Sequence, residues 1–240
     1  MQLIILRKIV LFLLLFSLTR FEACDAKKSE PVVSARKDKN EQLLKSLDVP
    51  VNPNLPEIED PPRLRTSQNI ARRAVVLYAV VLVGYKLDKD ATGWLKREGL
   101  WDYASKKEKD LLESRNRSEQ DLRDATWRIE ALLTLLWALE KIDKLELPRD
   151  QADGDIIEHI LPKQGESTAK FINQATLRSK TELLDATDLI YRIHWAVVEA
   201  QEKKSPIPGN FDSDVVYERH YALNWLAYNA EDWDNIHTDT

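Results

Sequence analysis

Three basic side chains lie on helix faces that the hydrophobic pattern predicts to be buried: Arg128, Arg219 and His194. At about 100° per residue, each of them shares a face with aliphatic residues. Those neighbours are Leu132, Leu135 and Leu139 for Arg128, Val215, Leu223 and Leu226 for Arg219, and Leu183, Ile190 and Val198 for His194. Losing one partner of a buried ion pair costs on the order of 3–5 kcal/mol. Each buried base therefore needs a partner.

The first interpretation of these residues is structural. Asp124 precedes Arg128 by one helical turn, the correct spacing for an i, i+4 pair. Glu218 lies beside Arg219 at the edge of the same apolar face, so we predict Glu218 as its partner. Glu130 points to another side of its helix and is predicted to be solvated. In this interpretation the pairs fix the packing of the helices and have no further function.

The second interpretation is a binding pocket. Arg128, His194 and Arg219, together with Glu218 and Asp124, could line a pocket for a carboxylate or phosphate, because guanidinium groups bind such anions with two parallel hydrogen bonds. The protein would then be a small-molecule-binding protein or a hydrolase. A weaker alternative is a metal site formed by His194, His220 and Glu218, but H-E-x-x-H is absent from the sequence. We predict no cofactor.

The remaining catalytic patterns fail. The sequence has no G-x-S-x-G, no Walker loop and no dinucleotide fingerprint, so no catalytic residue can be assigned. The formal net charge of −5 argues against a nucleic-acid partner, since such domains usually have a pI above about 9. A single cysteine, Cys24, excludes an internal disulfide.

Residues 1–24 have the pattern of a secretory signal. Arg7 and Lys8 precede an apolar run at residues 9–18, which is short for a membrane span of roughly 20 residues. Cys24 follows at the position where bacterial lipoproteins are lipidated, although Phe21 and Glu22 depart from the usual box. Lipidation of Cys24 and ordinary cleavage after Ala26 both remain open. The predicted location is the periplasm, or the membrane through a lipid anchor at Cys24.

Residues 25–62 are predicted to be a flexible linker. This stretch has no aromatic residue and holds six of the ten prolines. It buries too little apolar surface to offset the entropy of ordering it. One short helix at residues 41–47 is compatible with the pattern.

Residues 63–240 are predicted to form one compact all-α domain. Apart from Thr134, residues 131–139 are apolar, so a helix at about 119–141 should lie buried at its centre. Capping-box patterns begin helices at Ser105, Ser118 and Ser179. No segment alternates as a strand would. We therefore predict about seven helices around the central one.

Several segments of this domain resemble an uncharacterised bacterial family called domain of unknown function 4272. They are residues 94–101 (WLKREGLW), 127–132 (WRIEAL), 135–139 (LLWAL), 189–196 (LIYRIHWA) and 215–225 (VVYERHYALNW). The resemblance implies a bacterial source and covers residues 63–240, but it implies no activity and no functional residue. Together with the signal, it favours a non-enzymatic module of the cell envelope with a structural role or an unknown protein partner.

Overall fold

The computed structural model describes residues 32–61, 63–228 and 232–240. Within these ranges all regular structure is helical, which confirms the all-α prediction. The nine α-helices of the described residues are α1 (Val32–Ser46), α2 (Ser67–Gly84), α3 (Ala91–Arg97), α4 (Lys106–Glu113), α5 (Glu119–Ala138), α6 (Gly154–Ile160), α7 (Ala169–Asn173), α8 (Lys180–Glu202) and α9 (Ser213–Ala227). Three 3-10 turns accompany them at Trp101–Tyr103, Pro208–Asn210 and Trp233–Asn235.

The core is built on α2, α5, α8 and α9. Helix α5 packs against α2 on one side and α9 on another, and α9 packs in turn against α8. Almost every residue of α2 after Arg72 is buried, and the second half of α5 is buried nearly all round. The predicted central helix is confirmed, although it ends at Ala138, because Glu140 adopts a positive φ of 59°.

The three predicted capping boxes are confirmed at the N-termini of α4, α5 and α8. Ser105, Ser118 and Ser179 each form a complete capping box, in which the serine hydroxyl accepts from the third residue of the helix and that residue's carboxylate accepts from the serine N–H. Helix α9 is capped by Asp212, whose side chain accepts from the backbone N–H groups of Asp214 and Val215. These caps set the orientation of the helices that carry the candidate site.

Helix α2 approaches α5 most closely at Gly84. A Cβ added at Gly84 would lie 2.7 Å from the backbone nitrogen of Thr126, a distance that no real contact tolerates. We expect Gly84→Ala to lower the free energy of unfolding by about 1–3 kcal/mol, because the two helices must separate. Urea denaturation checks this. Gly154→Ala is the matched control, because its new Cβ would meet only the Ile129 side chain at 3.8 Å.

The predicted flexible linker differs from the structure from Val32 onward. Helix α1 packs on α8, and Leu44 is fully buried. The chain between α1 and α2 is irregular but buries Val49, Leu55 and Ile58. The predicted signal, the lipidation at Cys24 and the first residues of the linker lie outside the described residues.

Polar side chains hold α1 in place. Arg36 Nε donates to Asp185 Oδ1 over 3.1 Å, and Asn40 Nδ2 donates to Asp188 Oδ2 over 2.9 Å. Asp188 also accepts from Arg192 Nη2 at 2.8 Å. The face of α8 that carries Asp188 and Arg192 is buried, because α1 covers it. The composition of α1 resembles that of a linker, although this helix packs on α8 through ion pairs.

No helix among the described residues is both long enough and apolar enough to cross a membrane. Helix α2, the most apolar of them by its sequence, is buried by α5 and its other neighbours.

Candidate functional site

Two arginine–glutamate pairs cross the interface between α5 and α9 in opposite directions. Arg128 of α5 donates through Nη1 to both carboxylate oxygens of Glu218 of α9, at 3.1 and 3.0 Å. Arg219 of α9 donates through Nε and Nη2 to Oε2 of Glu130 of α5, both at 3.1 Å. Arg219 Nη1 also donates to the carbonyl oxygen of Glu146 at 2.6 Å. Each helix thus supplies one acid and one base.

The predicted partners of both arginines were wrong. Asp124 is exposed and accepts from Gln120 Nε2 at 2.6 Å instead of pairing with Arg128. Glu218 pairs with Arg128 rather than with its neighbour Arg219. Glu130, predicted to be solvated, is fully buried. Periodicity assigns a side chain to a face of its own helix, but it does not say which residue of the next helix lies opposite.

Burial raises the pKa values of both glutamate carboxyls in these pairs. It raises the pKa of the Glu218 carboxyl, and the guanidinium of Arg128 opposes that shift. The pKa of the Glu130 carboxyl is raised for the same reason, against the charge of Arg219. A charged, hydrogen-bonded pair remains the arrangement that satisfies these groups best. Both pairs therefore lock the register of α5 against α9.

His194 pairs with His220 rather than with an acid. Their Nδ1 atoms lie 2.8 Å apart, and Asn224 Nδ2 lies 3.1 Å from His220 Nε2. Because an amide NH₂ only donates, His220 Nε2 accepts, and His220 Nδ1 carries the proton that His194 Nδ1 accepts. This tautomer follows from the hydrogen-bond network. Burial lowers the pKa of His220 to about 3, with a further contribution from His194, so the imidazole is neutral at pH 7.

The metal alternative does not fit this geometry. Glu218 faces Arg128, and the Nδ1 atoms of His194 and His220 are committed to each other. In the part of the chain that the structure describes, no group of three His, Cys, Asp or Glu side chains could hold a metal ion.

Arg128 and Arg219 line different clefts. Arg128 lines a cleft of about 510 Å³ beside α4 and the C-terminal segment, whereas Arg219 lines a smaller, apolar one of about 270 Å³. His194 is held against His220 between α8 and α9. The wall of the Arg128 cleft carries the acids Glu108, Asp110, Asp121, Asp124 and Asp234 and the bases Lys107 and Arg128. This acidic excess opposes the binding of an anion everywhere on the wall except directly at the guanidinium of Arg128.

Arg128 also borders a smaller recess of about 230 Å³. Its wall includes Trp127 and Tyr217, beside Asp124 and Asp214. Tyr217 is 41% exposed, and the Arg128 side chain is 27% exposed. We name Trp127, Arg128 and Tyr217 the aromatic face. Trp127 and Tyr217 were not predicted as site residues. Their positions in the sequence, directly before the predicted site residues Arg128 and Glu218, could have indicated them.

Comparison with known protein families identifies the family of this chain. A family model described as "Domain of unknown function (DUF4272)" matches residues 36–236. The chain belongs to this family. No curated protein matches the chain, and no solved structure matches it. The match begins within α1, so the DUF4272 domain includes a segment that composition alone had placed in the linker.

Proposed function

We propose that this DUF4272 domain is an exported interaction module of the bacterial cell envelope, which binds a protein partner through its aromatic face. The observation that carries the proposal is the exposure of Tyr217 beside Trp127 and Arg128. Tryptophan, tyrosine and arginine are the residue types that dominate the energetics of protein interfaces. Asp124 and Asp214 surround them with a polar rim, as interfaces commonly have.

The internal pairing of the buried bases supports a binding role over a catalytic one. Arg219 and His194 are committed to Glu130 and His220, so neither is available to a substrate. Of the three predicted bases, Arg128 is the one whose side chain also reaches the surface. Buried ion pairs beside an exposed aromatic patch are suited to the recognition of a protein partner.

Site-specific photocrosslinking in the native host tests this proposal. A photoreactive amino acid replaces Tyr217 in one strain and Tyr85 in another. Tyr85 is the matched control, because it is 50% exposed at the end of α2, outside the aromatic face. We expect one defined adduct from position 217, absent from position 85 and lost in Trp127→Ala. An adduct pattern that is the same at both positions would contradict the proposal.

Export is tested separately by the intact mass of the protein isolated from its host. The signal predicts removal of the first residues, either before Cys24 with a lipid on that cysteine or after Ala26 without one. The two masses differ by the lipid and three residues, so one spectrum distinguishes them. An unprocessed chain that begins at Met1 and remains in the cytoplasm would refute export.

The second candidate function is binding of a small anion at Arg128. It is favoured by the geometry of the ion pair: among the described residues, Arg128 engages Glu218 through Nη1 alone. Its other nitrogens lack such a partner there, while the side chain borders two clefts. Native mass spectrometry of the protein purified from its host decides between the functions. A bound small molecule that is lost in Arg128→Lys would favour the anion, and a mass equal to the chain alone would count against it.

A further inference from the structure

The C-terminal segment, residues 232–240, lies in a groove formed by α2, α4 and α9. Two of its side chains are buried: Trp233 is 5% exposed and Ile236 is 8% exposed. Asp232, Asn235 and His237 between and around them are exposed. A segment whose only regular structure is the 3-10 turn Trp233–Asn235, and which is held by two side chains three residues apart, resembles a bound peptide more than a packed helix.

The groove provides a pocket for the indole of Trp233. Its ring centroid lies 5.2 Å from that of Tyr221 and 5.4 Å from that of Trp225, and both contacts are edge-to-face. The guanidinium carbon of Arg73 lies 4.3 Å from the Trp233 ring. Edge-to-face and cation–π contacts each favour an aromatic side chain over an aliphatic one of similar volume. The pocket is therefore selective for an aromatic residue.

In the hydrogen bonds across the groove among the described residues, the groove donates and the C-terminal segment accepts. Asp234 Oδ2 accepts from the backbone N–H of Lys107 in the first turn of α4, at 3.0 Å. The carbonyl oxygen of Trp233 accepts from the hydroxyl of Tyr221, and that of His237 accepts from Asn224 Nδ2 at 2.8 Å. The groove supplies donors and the segment supplies acceptors. The first turn of α4 also favours a negative charge at the position of Asp234, because its N–H groups point outward there.

The segment does not fill the groove. Trp233 and Asp234 line the cleft of about 510 Å³ on one side and another of about 670 Å³ on the other. The larger cleft is bordered by the basic side chains of Arg73, Lys106 and Lys107. Without the segment, the two clefts would join into one groove with an aromatic pocket in the middle and a basic side.

We propose that this groove is a peptide-binding site that the chain's own C-terminal segment occupies. Its partner is a protein segment in which an aromatic residue is followed directly by an acidic one, as Trp233 is followed by Asp234. The aromatic side chain fills the pocket between Tyr221, Trp225 and Arg73, and the carboxylate accepts from the first turn of α4. Arg128 borders both this groove and the aromatic face. The pocket for the aromatic side chain is formed by other residues, so either proposal can fail without the other.

The chain's own segment competes with any such partner. A tethered segment acts at an effective concentration of about a millimolar, so an external peptide binds the intact protein weakly. Loosening the segment must therefore strengthen the binding of an external peptide.

Fluorescence anisotropy with a labelled synthetic peptide of residues 232–240 tests this directly on the full chain. We expect the peptide to bind Trp233→Ala at least about tenfold more tightly than wild type, because the competing segment has lost its main anchor. Asp234→Asn should strengthen binding by a smaller factor, and it serves alone if Trp233→Ala fails to give the helical circular dichroism of wild type.

The peptide itself supplies the specificity controls. A peptide with alanine in place of the tryptophan, and one with the same composition in scrambled order, should not bind the loosened variants. Tyr221→Phe, introduced together with Asp234→Asn, should weaken peptide binding, because the hydroxyl donor is lost while the ring remains. Failure of the peptide to bind any folded variant, or equal binding of the scrambled peptide, overturns the proposal.

Discussion

Replacing Glu130 by glutamine is expected to destabilise the domain by about 3–5 kcal/mol, the largest effect of a single side chain that the structure suggests. Glu130 is fully buried, and its carboxylate is the counter-charge of Arg219. Glutamine keeps the size of the side chain but removes the charge, and its NH₂ group cannot accept, so a hydrogen bond from either Ala152 N or Arg219 is lost as well. The guanidinium of Arg219, itself 5% exposed, would then be a buried cation with only neutral acceptors.

Chemical denaturation followed by far-UV circular dichroism measures this difference. Asp124→Asn is the matched control, because it removes a carboxylate from the same helix at an exposed position. We expect the control to change the free energy of unfolding by no more than about 0.5 kcal/mol. A Glu130→Gln variant as stable as the control would show that the Arg219 pair does not stabilise the interface of α5 and α9.

A double variant that removes both charges measures the net contribution of the pair to stability, as distinct from the destabilisation caused by leaving one charge unpaired. The double variant with Glu130→Leu and Arg219→Leu leaves no buried ion at the position of this pair, and such replacements are often neutral or stabilising. We expect it to recover most of the loss of Glu130→Gln. A double variant that is less stable than Glu130→Gln would instead indicate that the hydrogen bonds to Ala152 N and to the carbonyl oxygen of Glu146 are needed for folding.

The central helix and the helix starts could be predicted from the sequence because both depend on local chemistry. An apolar run with one polar residue must be buried, and a serine three residues before an acid satisfies free N–H groups wherever the helix lies. Helix α5 and its capping box at Ser118 follow from these rules alone.

The ion pairs could not be predicted in the same way, because they depend on the register between helices. Glu218 lies next to Arg219 in sequence, yet it reaches across to Arg128, and Arg219 reaches Glu130. One residue of rotation or one turn of translation would exchange these partners. The sequence shows that buried bases need acids, whereas the structure shows which acids they use.

Only the last part of helix α1 was predicted, as a short helix at residues 41–47, for a related reason. Its inward face carries Arg36, Asn40 and Glu41, which composition treats as solvated. These residues are buried because α8 presents Asp185, Asp188 and Arg192 opposite them. Complementary charges on two segments far apart in sequence leave no periodic apolar signal on either one.

Acid is expected to destabilise the domain through its buried histidines. The pKa of His220 is lowered to about 3 in the folded protein, whereas an unfolded histidine titrates near about 6.5. As the pH falls below 6.5, the unfolded chain takes up a proton that the folded protein refuses, so stability is lost. The loss approaches about 1.4 kcal/mol per pH unit for one histidine, or about 2 kcal/mol between pH 6.5 and pH 5. Burial lowers the pKa of His194 as well, in the same direction, and the two rings titrate as a coupled pair.

The carboxylates contribute to the same pH range, so the histidine effect must be measured as a difference. The pKa values of Glu130 and Glu218 are raised by burial, which makes the folded state bind protons earlier and opposes the loss. A double variant with His194→Gln and His220→Gln keeps these acids and cannot titrate at the pair. We expect its stability to fall less steeply than that of wild type between pH 6.5 and pH 5, whereas His159→Gln, at an exposed position, should follow wild type. Parallel curves of stability against pH for wild type and the double variant would mean that the folded protein protonates the pair as easily as the unfolded chain does. That result would contradict a hydrogen bond between two neutral imidazole rings.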